Sequence, residues 1–161
     1  TKGHGMTGKA YDRAYFDHWY RDPVHRVRAR GESRRRVAMV VALAEYYLGR
    51  PLRNVLDVGC GEGVWRAPLR ALRPGIRYLG LDSSEYVVAR FGRARNLRLA
   101  AFGDLAELRF DERFDLIVCS DVLHYLDARE IEKAFVDDAA LTVIDAVHDD
   151  RDRLFDTDRR R

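Results

Sequence analysis

Lysine, cysteine and proline are scarce in this sequence, and long apolar runs are missing. The 161 residues include two cysteines and four prolines, and the only lysines are Lys2, Lys9 and Lys133, so arginine carries nearly all of the positive charge. No apolar run is long enough to span a bilayer and no signal peptide is visible, so we expect a cytoplasmic protein without membrane contact. No repeat or low-complexity linker divides the chain, which predicts a single domain.

The two cysteines, Cys60 and Cys119, lie within apolar, strand-like runs. This placement is typical of buried, reduced thiols in a cytosolic protein. A disulfide would require the two strands to be neighbours, and we do not expect one. No metal site is predicted.

The charge pattern gives little support to nucleic-acid binding. Apolar residues make up 47% of the chain and charged residues 34%, which is ordinary for a globular protein, and the formal net charge is +3. The densest basic cluster, "RVRARGESRRR" at 26–36, has no RNA-reading aromatic motif beside it. We therefore favour a solvated helix start over a phosphate-binding surface. The sequence does not specify an oligomeric state.

Strand-like and helix-like segments alternate after a helix predicted at 33–48, where apolar residues recur at helical spacing. Five apolar runs are predicted to be strands, at 54–59, 76–82, 97–102, 114–120 and 141–147. Helices are predicted between them at 62–72, 84–94 and 127–138. Strict alternation predicts βαβ units, and hence an α/β fold with a doubly wound, mostly parallel sheet and helices on both faces.

The two ends of the chain are less regular than its middle. Residues 1–32 are predicted to be an N-terminal aromatic segment ahead of the domain at 33–161. No turn signal precedes the fifth strand, and only residues 148–161 follow it. Either residues are absent near Asp138 and after Val147 or the protein is naturally truncated, and the sequence leaves both interpretations open.

Three glycines, Gly59, Gly61 and Gly63, follow the first predicted strand at alternate positions. A strand that runs into a glycine-rich turn and then a helix presents backbone N–H groups to a ligand at the carboxyl edge of the sheet. Either the glycines make room for a cofactor or they only form a tight connection. The three-glycine pattern by itself does not decide between these alternatives.

An acid at the end of the next strand, Asp82, favours the cofactor. A carboxylate there can accept two hydrogen bonds from a ribose diol, although a helix cap shared with Ser83 is the alternative. A dinucleotide fingerprint needs glycine where this chain has Val64, and Glu62 inside the turn would repel a pyrophosphate but tolerate a sulfonium or an amino group. Asp57, two residues before the first glycine, adds negative potential at the end of the strand. The pattern favours S-adenosylmethionine over NAD.

Four segments then follow in order: "VLDVGCGEG" at 55–63, "YLGLDSS" at 78–84, "AAFGDLAEL" at 100–108 and "FDLIVCSDVLHYL" at 114–126. Together they resemble the four motifs of the class I S-adenosylmethionine-dependent methyltransferases. The resemblance runs from about residue 35 to 147 and implies the Rossmann-like fold of that family. The chain departs from the family pattern after the fifth strand, because the usual sixth and seventh strands are missing or incomplete.

The resemblance implies S-adenosylmethionine as the cofactor and S-adenosylhomocysteine as the product. It places the ribose on Asp82, the adenine amino group near Asp104 and the adenine ring near the N–H of Leu105. The other predicted cofactor contacts lie in the glycine turn or at strand ends: Asp57, Gly59, Cys60, Gly61, Ser83 and Ser120.

Candidate catalytic residues follow the fourth strand in "CSDVLHYL" at 119–126. Asp121 and His124 are the predicted catalytic residues, and His124 and Tyr125 are predicted to face the acceptor. A sulfonium methyl group is already reactive, so the protein mainly aligns the acceptor and excludes water, and a general base is needed only if the acceptor must lose a proton. Each of these residues has a structural alternative. His124 could fix the turn by hydrogen bonding, Asp121 could be a turn or cap residue, and Tyr125 could be a packing residue.

Five aromatic side chains crowd the ten residues 11–20, ahead of Pro23: Tyr11, Tyr15, Phe16, Trp19 and Tyr20. They could form a lid, with Tyr11 and Tyr15 touching the cofactor and Trp19 lining the acceptor site, because aromatic rings stabilise a sulfonium as they do other cations. The alternative is that the rings cover one edge of the sheet.

The predicted function is methyl transfer to a small-molecule acceptor. The "NPPY" motif typical of methylation at base amino groups is absent, and "SDVLH" at 120–124 stands in its place, which favours a small molecule over RNA or protein. A catalytically silent S-adenosylmethionine-binding module is the main alternative from another class. An NAD-dependent oxidoreductase is disfavoured by Val64 and Glu62.

Overall fold

The computed structural model of the protein describes residues 11–22, 30–111, 113–120 and 141–145. The elements in these ranges are α1 (Arg13–Arg21), α2 (Arg30–Leu48), β1 (Asn54–Val58), α3 (Arg66–Leu72), β2 (Arg77–Asp82), α4 (Glu85–Arg95), β3 (Leu97–Leu99), a 3₁₀ helix (Phe102–Glu107), β4 (Leu116–Ser120) and β5 (Leu141–Asp145). The predicted helix at 127–138 lies outside the described residues.

The five strands form one sheet in the order β3-β2-β1-β4-β5, and every pairing is parallel. In the register, Asp57 of β1 lies opposite Gly80 of β2 and Val118 of β4. The chain moves outward from β1 to β3 and then returns to β4 on the other side, so the strand order reverses at β1. The predicted doubly wound, parallel α/β fold is confirmed, and its switch point lies at the carboxyl end of β1.

Several element boundaries differ from the predictions. The helix predicted at 62–72 begins only at Arg66, because the preceding residues form turns around glycines with left-handed backbone. Pro68 lies in the first turn of α3, where a missing N–H leaves no helical hydrogen bond unmade. The third strand ends at Leu99, and the chain then enters the 3₁₀ helix.

The N-terminal aromatic segment forms a regular helix, α1, which the sequence patterns did not predict. The Asp12 carboxylate caps it by accepting a hydrogen bond from the Tyr15 N–H at 3.0 Å. Phe16 is buried and belongs to the same apolar cluster as Val37 of α2 and Val87 of α4. The aromatic segment is therefore packed onto the domain.

The helix predicted at 33–48 is confirmed as α2, which begins three residues earlier at Arg30. Its buried face carries the predicted apolar positions: Val37, Val40, Val41 and Ala44. The helix ends at Gly49, whose φ of +64° is a left-handed C-cap conformation that glycine adopts without strain.

Two apolar clusters cover the two faces of the sheet, since side chains alternate along each strand. Val55 and Cys60 belong to the cluster beneath α1–α4, whereas Leu56, Val58 and Cys119 belong to the opposite one. Both thiols are free and buried, as predicted. Burial raises the pKa of Cys119 to about 12. The cysteines cannot form a disulfide because the sheet separates them.

Asp115 ties together the amino ends of β1 and β4. Its carboxylate accepts hydrogen bonds from the Arg53 N–H at 2.7 Å, the Asn54 N–H at 3.2 Å and Nη2 of Arg50 at 2.6 Å. The hydrogen bond from Arg50 holds the pKa of Asp115 below its usual range.

Across the part of the chain that the structure describes, no helix combines the length and apolar character needed to cross a bilayer.

Candidate cofactor site

The glycine turn lies at the carboxyl edge of the sheet, between β1 and α3. Gly59, Gly61 and Gly63 have φ values of +67°, +52° and +71°, a left-handed backbone that other residues adopt at a cost of roughly 1–2 kcal/mol each. The Cys60 N–H donates to the Leu81 carbonyl at 3.0 Å and so fastens the turn to β2. The three glycines are thus required by the bend itself, whether or not a ligand lies against it.

Asp82 joins the turn to the end of β2. Its Oδ2 accepts a hydrogen bond from the Gly61 N–H at 2.8 Å, and its Oδ1 accepts one from the Ser84 N–H at 2.9 Å. Burial raises the pKa of Asp82, and hydrogen bonds from the Ser84, Gly61 and Ser83 amides oppose that rise. The carboxylate is half-buried, so lone pairs on both oxygens remain to accept hydrogen bonds from a diol.

The helix cap that was considered for Asp82 and Ser83 is formed by Ser84 instead. Ser84 is the N-cap of α4, and its Oγ accepts a hydrogen bond from the Val87 N–H at 3.3 Å. The same hydroxyl donates to the Tyr11 carbonyl at 2.6 Å, which joins α4 to the start of the aromatic segment. Ser83 is exposed.

Asp57 lies beneath the turn rather than on its surface. Its side chain is 1% exposed, and the Tyr78 hydroxyl donates a 2.6 Å hydrogen bond to Oδ2. Burial, opposed by the hydrogen bond from Tyr78 and reinforced by the Asp82 charge, raises the pKa of Asp57 to about 7. Cys60 is buried beside this pair, and its thiol pKa is raised by burial.

The buried Asp57 should make the stability of the protein depend on pH. Between the unfolded pKa of 3.8 and the folded pKa of about 7, the folded protein holds a proton that the unfolded chain has released. The free energy of unfolding should therefore fall as pH rises across this window, by up to about 4 kcal/mol from this group. Asp57→Asn should flatten the decline and make the variant more stable than the parent above neutral pH.

Urea unfolding from acid to mildly alkaline pH measures this dependence. Asp111→Asn, at an exposed aspartate, is the control and should keep the parent profile. Identical profiles for the parent and Asp57→Asn would contradict the buried, protonatable state of Asp57.

Helix α1 covers the glycine turn through Tyr20, a contact that the sequence patterns did not predict. A Cβ added to Gly61 would overlap the Tyr20 hydroxyl and lie 3.2 Å from Cζ of that ring. Burial raises the pKa of Tyr20, and the charges of Asp82 and Glu62 raise it further. The close approach that excludes a side chain at Gly61 is therefore made by Tyr20. The available signal was spacing, since Tyr20 lies one helical turn after the buried Phe16.

The aromatic residues that were predicted to touch the cofactor or acceptor are partly buried. The rings of Tyr11 and Tyr15 meet edge to face at 5.2 Å, and both pack against the cluster beneath α1–α4. Trp19 lies 6.2 Å from the Tyr15 ring, measured between centroids. These contacts hold the helix over the turn, and the contacts of these rings with a cofactor or an acceptor stay predictions.

Glu62 is bound by two arginines. Its Oε1 accepts a 2.8 Å hydrogen bond from Arg21 of α1, Oε2 lies 3.9 Å from Nη1 of Arg95, and that same nitrogen donates to the Glu62 carbonyl at 2.5 Å. The Glu62 carboxylate was predicted to face the ligand. In the structure, the guanidinium groups of Arg21 and Arg95 neutralise its charge. The sequence patterns did not identify Arg21 and Arg95, because each is remote from Glu62 along the chain.

The remaining predicted site residues lie around the same edge or outside the described ranges. Ser120 ends β4 next to β1 and is half-buried. Asp104 is exposed and Leu105 packs against the second apolar cluster, both in the 3₁₀ helix after β3. The structure thus brings the glycine turn, Asp82, Ser120 and the 3₁₀ helix to the carboxyl edge of the sheet. Asp121, His124 and Tyr125 lie outside the described residues.

The fold and the site define a doubly wound α/β domain in which a glycine turn and a strand-end carboxylate meet at the switch point. A family model described as a methyltransferase domain matches residues 56–148, more than half of the chain. The chain therefore belongs to the methyltransferase domain family, which confirms the resemblance to class I S-adenosylmethionine-dependent methyltransferases found in the sequence.

Individual relatives match only part of their own length. A trans-aconitate 2-methyltransferase from Deinococcus radiodurans is 39% identical over 79 residues, which cover 48% of this chain and 30% of that protein. A plantazolicin methyltransferase, BpumL, solved with a monoazolic desmethylPZN analogue and S-adenosylhomocysteine, superposes with a TM-score of 0.62 at 16% identity, over 82% of this chain and 56% of that one. The sugar N-methyltransferase KedS8 from Streptoalloteichus superposes with a TM-score of 0.57 at 23% identity. The superposition covers 83% of this chain and 51% of that one. The chain spans about a third of the curated relative and about half of the solved structures.

Proposed function

We propose that the protein is an S-adenosylmethionine-dependent methyltransferase that acts on a small-molecule acceptor. The observation that carries the proposal is the position of Asp82, at the end of β2 with Oδ2 2.8 Å from the Gly61 amide. This carboxylate and the turn form one rigid unit at the switch point, where nucleotide ligands of such sheets bind. The ribose diol would lie on Asp82, and the adenine would lie beside Asp104 and Leu105.

The cofactor supplies a methyl group on a sulfonium, and the chain's own residues position it and exclude water. The Gly59 main-chain amide would face the cofactor, whereas the Gly61 amide already donates to Asp82, and Ser120 would lie near the end of the methionine part. We propose that residues 1–32 form a lid on the domain at 33–161, with α1 as the helix that covers the turn. Since Tyr20 occupies the surface of Gly61, α1 would shift when the cofactor binds.

Acceptor chemistry would be completed beyond β4. Asp121 and His124 are the proposed catalytic residues, and Trp19 and Tyr125 would line the acceptor site. His124 would act as a base only if the acceptor must lose a proton before transfer. Two relatives support a small acceptor, since their names specify trans-aconitate and a sugar. The two free, buried cysteines support a cytoplasmic location.

Calorimetry with S-adenosylmethionine, followed by a methyl-release assay on a panel of small carboxylic acids, amines and sugars, tests the proposal. Saturable binding with turnover on one class would support it, and absence of binding would contradict it. Binding without turnover on any acceptor, RNA and protein included, would favour a catalytically silent module.

A further inference from the structure

A cavity of about 420 Å³ opens at the amino edge of the sheet, away from the glycine turn. It is framed by Asn54 and Arg77, the first residues of β1 and β2, and by Asn96, which precedes β3. Phe110 and Phe114, ahead of β4, complete its wall. Parallel strands place their amino and carboxyl ends at opposite edges, so this amino-edge cavity is separate from Asp82. Its volume lies in the range of small-ligand sites.

The lining of the amino-edge cavity is strongly basic. Its charged lining consists of five arginines and one carboxylate: Arg66, Arg70, Arg77, Arg98, Arg109 and Asp111. These arginines come from α3, β2, β3 and the segment before β4, so the tertiary structure gathers them from four parts of the chain. A concave surface lined by one sign of charge concentrates ligands of the opposite sign.

Two other arginines at this edge have acidic partners. Arg50 pairs with Asp115 through both terminal nitrogens, and Arg73 forms an ion pair with Glu45. Within the described ranges, the Arg66, Arg70 and Arg98 side chains have no such hydrogen bond or ion pair. Among the residues that the structure describes, three of the five lining arginines therefore face the cavity edge without an ion pair.

An aromatic wall accompanies this charge. The rings of Phe110 and Phe114 meet edge to face, with centroids 5.1 Å apart and an interplanar angle of 82°, and both are half-buried. Guanidinium groups bind phosphate oxygens in a forked geometry, and aromatic faces stack on planar bases.

We propose that the amino-edge cavity binds a small ligand that carries two or more phosphate groups. A nucleoside polyphosphate and an inorganic polyphosphate share this chemistry. The inference does not depend on the proposed methyl transfer, because it rests on the opposite edge of the sheet.

Calorimetric titration with ATP and with tripolyphosphate tests the site, in the presence of excess S-adenosylhomocysteine so that adenine cannot enter the candidate cofactor site. The double variant Arg70→Glu/Arg98→Glu should lose at least about tenfold in affinity for both probes. Arg34→Glu/Arg93→Glu changes the net charge equally at exposed helix positions outside the lining and should stay within about twofold of the parent.

Tighter binding of ATP than of tripolyphosphate would identify a nucleotide, and equal binding would identify a polyphosphate; either result supports the site. No saturable binding by the parent, or equal losses in the two double variants, would overturn it. Thermal melting checks that both variants fold, and Arg70→Gln/Arg98→Gln replaces the glutamate variant under the same criterion if the latter does not. Binding of S-adenosylmethionine should be unchanged in the cavity variants, which keeps this test separate from that of the proposed function.

Discussion

Gly61→Ala should lower the free energy of unfolding by about 2–5 kcal/mol and abolish measurable binding of S-adenosylmethionine. Two causes add together. The φ of +52° is strained for alanine by roughly 1–2 kcal/mol, and the new methyl group would overlap the Tyr20 hydroxyl in a packed site, which typically costs about 1–3 kcal/mol. Binding should be lost because the methyl group and the displaced ring would both occupy the surface of the turn. Urea unfolding and calorimetry measure the two effects.

Two other glycines separate these causes. Gly49 has a φ of +64° and nothing within 4 Å of an added Cβ, so Gly49→Ala should show the backbone cost alone. Gly75 has neither a left-handed backbone nor a close neighbour, so Gly75→Ala should change stability by less than about 0.5 kcal/mol.

A double-mutant cycle tests the contact with Tyr20 directly. In a Tyr20→Ala background, Gly61→Ala should cost no more than Gly49→Ala costs in the parent, since the ring that it would strike is gone. If Gly61→Ala and Gly49→Ala were equally destabilising in the parent, Tyr20 would not be pressed against the turn. Binding by Gly61→Ala at parental affinity would mean that the turn carries no ligand.

Asp82→Ala should weaken S-adenosylmethionine binding by about 1–3 kcal/mol, which is about 5- to 150-fold in affinity. The substitution removes the acceptor proposed for the ribose diol, and it also strands the amides of Gly61 and Ser84, which donate to this carboxylate at 2.8 and 2.9 Å. Some loss of stability should accompany the loss of affinity. Calorimetry, with thermal melting of the same samples, measures both.

Asp82→Asn separates the ribose from the turn. Its amide oxygen can still accept one backbone N–H, so stability should recover partly, while affinity should stay low because one ribose acceptor has become a donor. Glu85→Ala removes an exposed carboxylate three residues further on and should leave affinity unchanged. Parental affinity in Asp82→Ala would refute the ribose assignment and leave Asp82 with a structural role only.

Much of this fold could be predicted because its signals are local. Alternating apolar strands and amphipathic helices predicted the parallel sheet, and the Gly59–Gly63 turn with Asp82 predicted where two strand ends would meet. Helix α1 was missed because aromatic residues are weak helix formers, although Phe16 and Tyr20 lie one helical turn apart after the Asp12 cap. The short β3 was overextended because the apolar run 97–102 continues past the point where pairing with β2 ends.

The sequence by itself determined the order of the strands and helices, the left-handed glycine turn and the acid that closes it. These features depend on backbone sterics and on hydrophobic periodicity, which act between residues close in the chain. Only the tertiary structure decided that Tyr20 lies on Gly61, that Glu62 is neutralised by Arg21 across 41 positions, that Asp57 is sealed beneath the turn, and that arginines from four segments share one cavity. Each of these is a contact between distant segments, and packing of the sheet and helices sets such contacts rather than any local pattern.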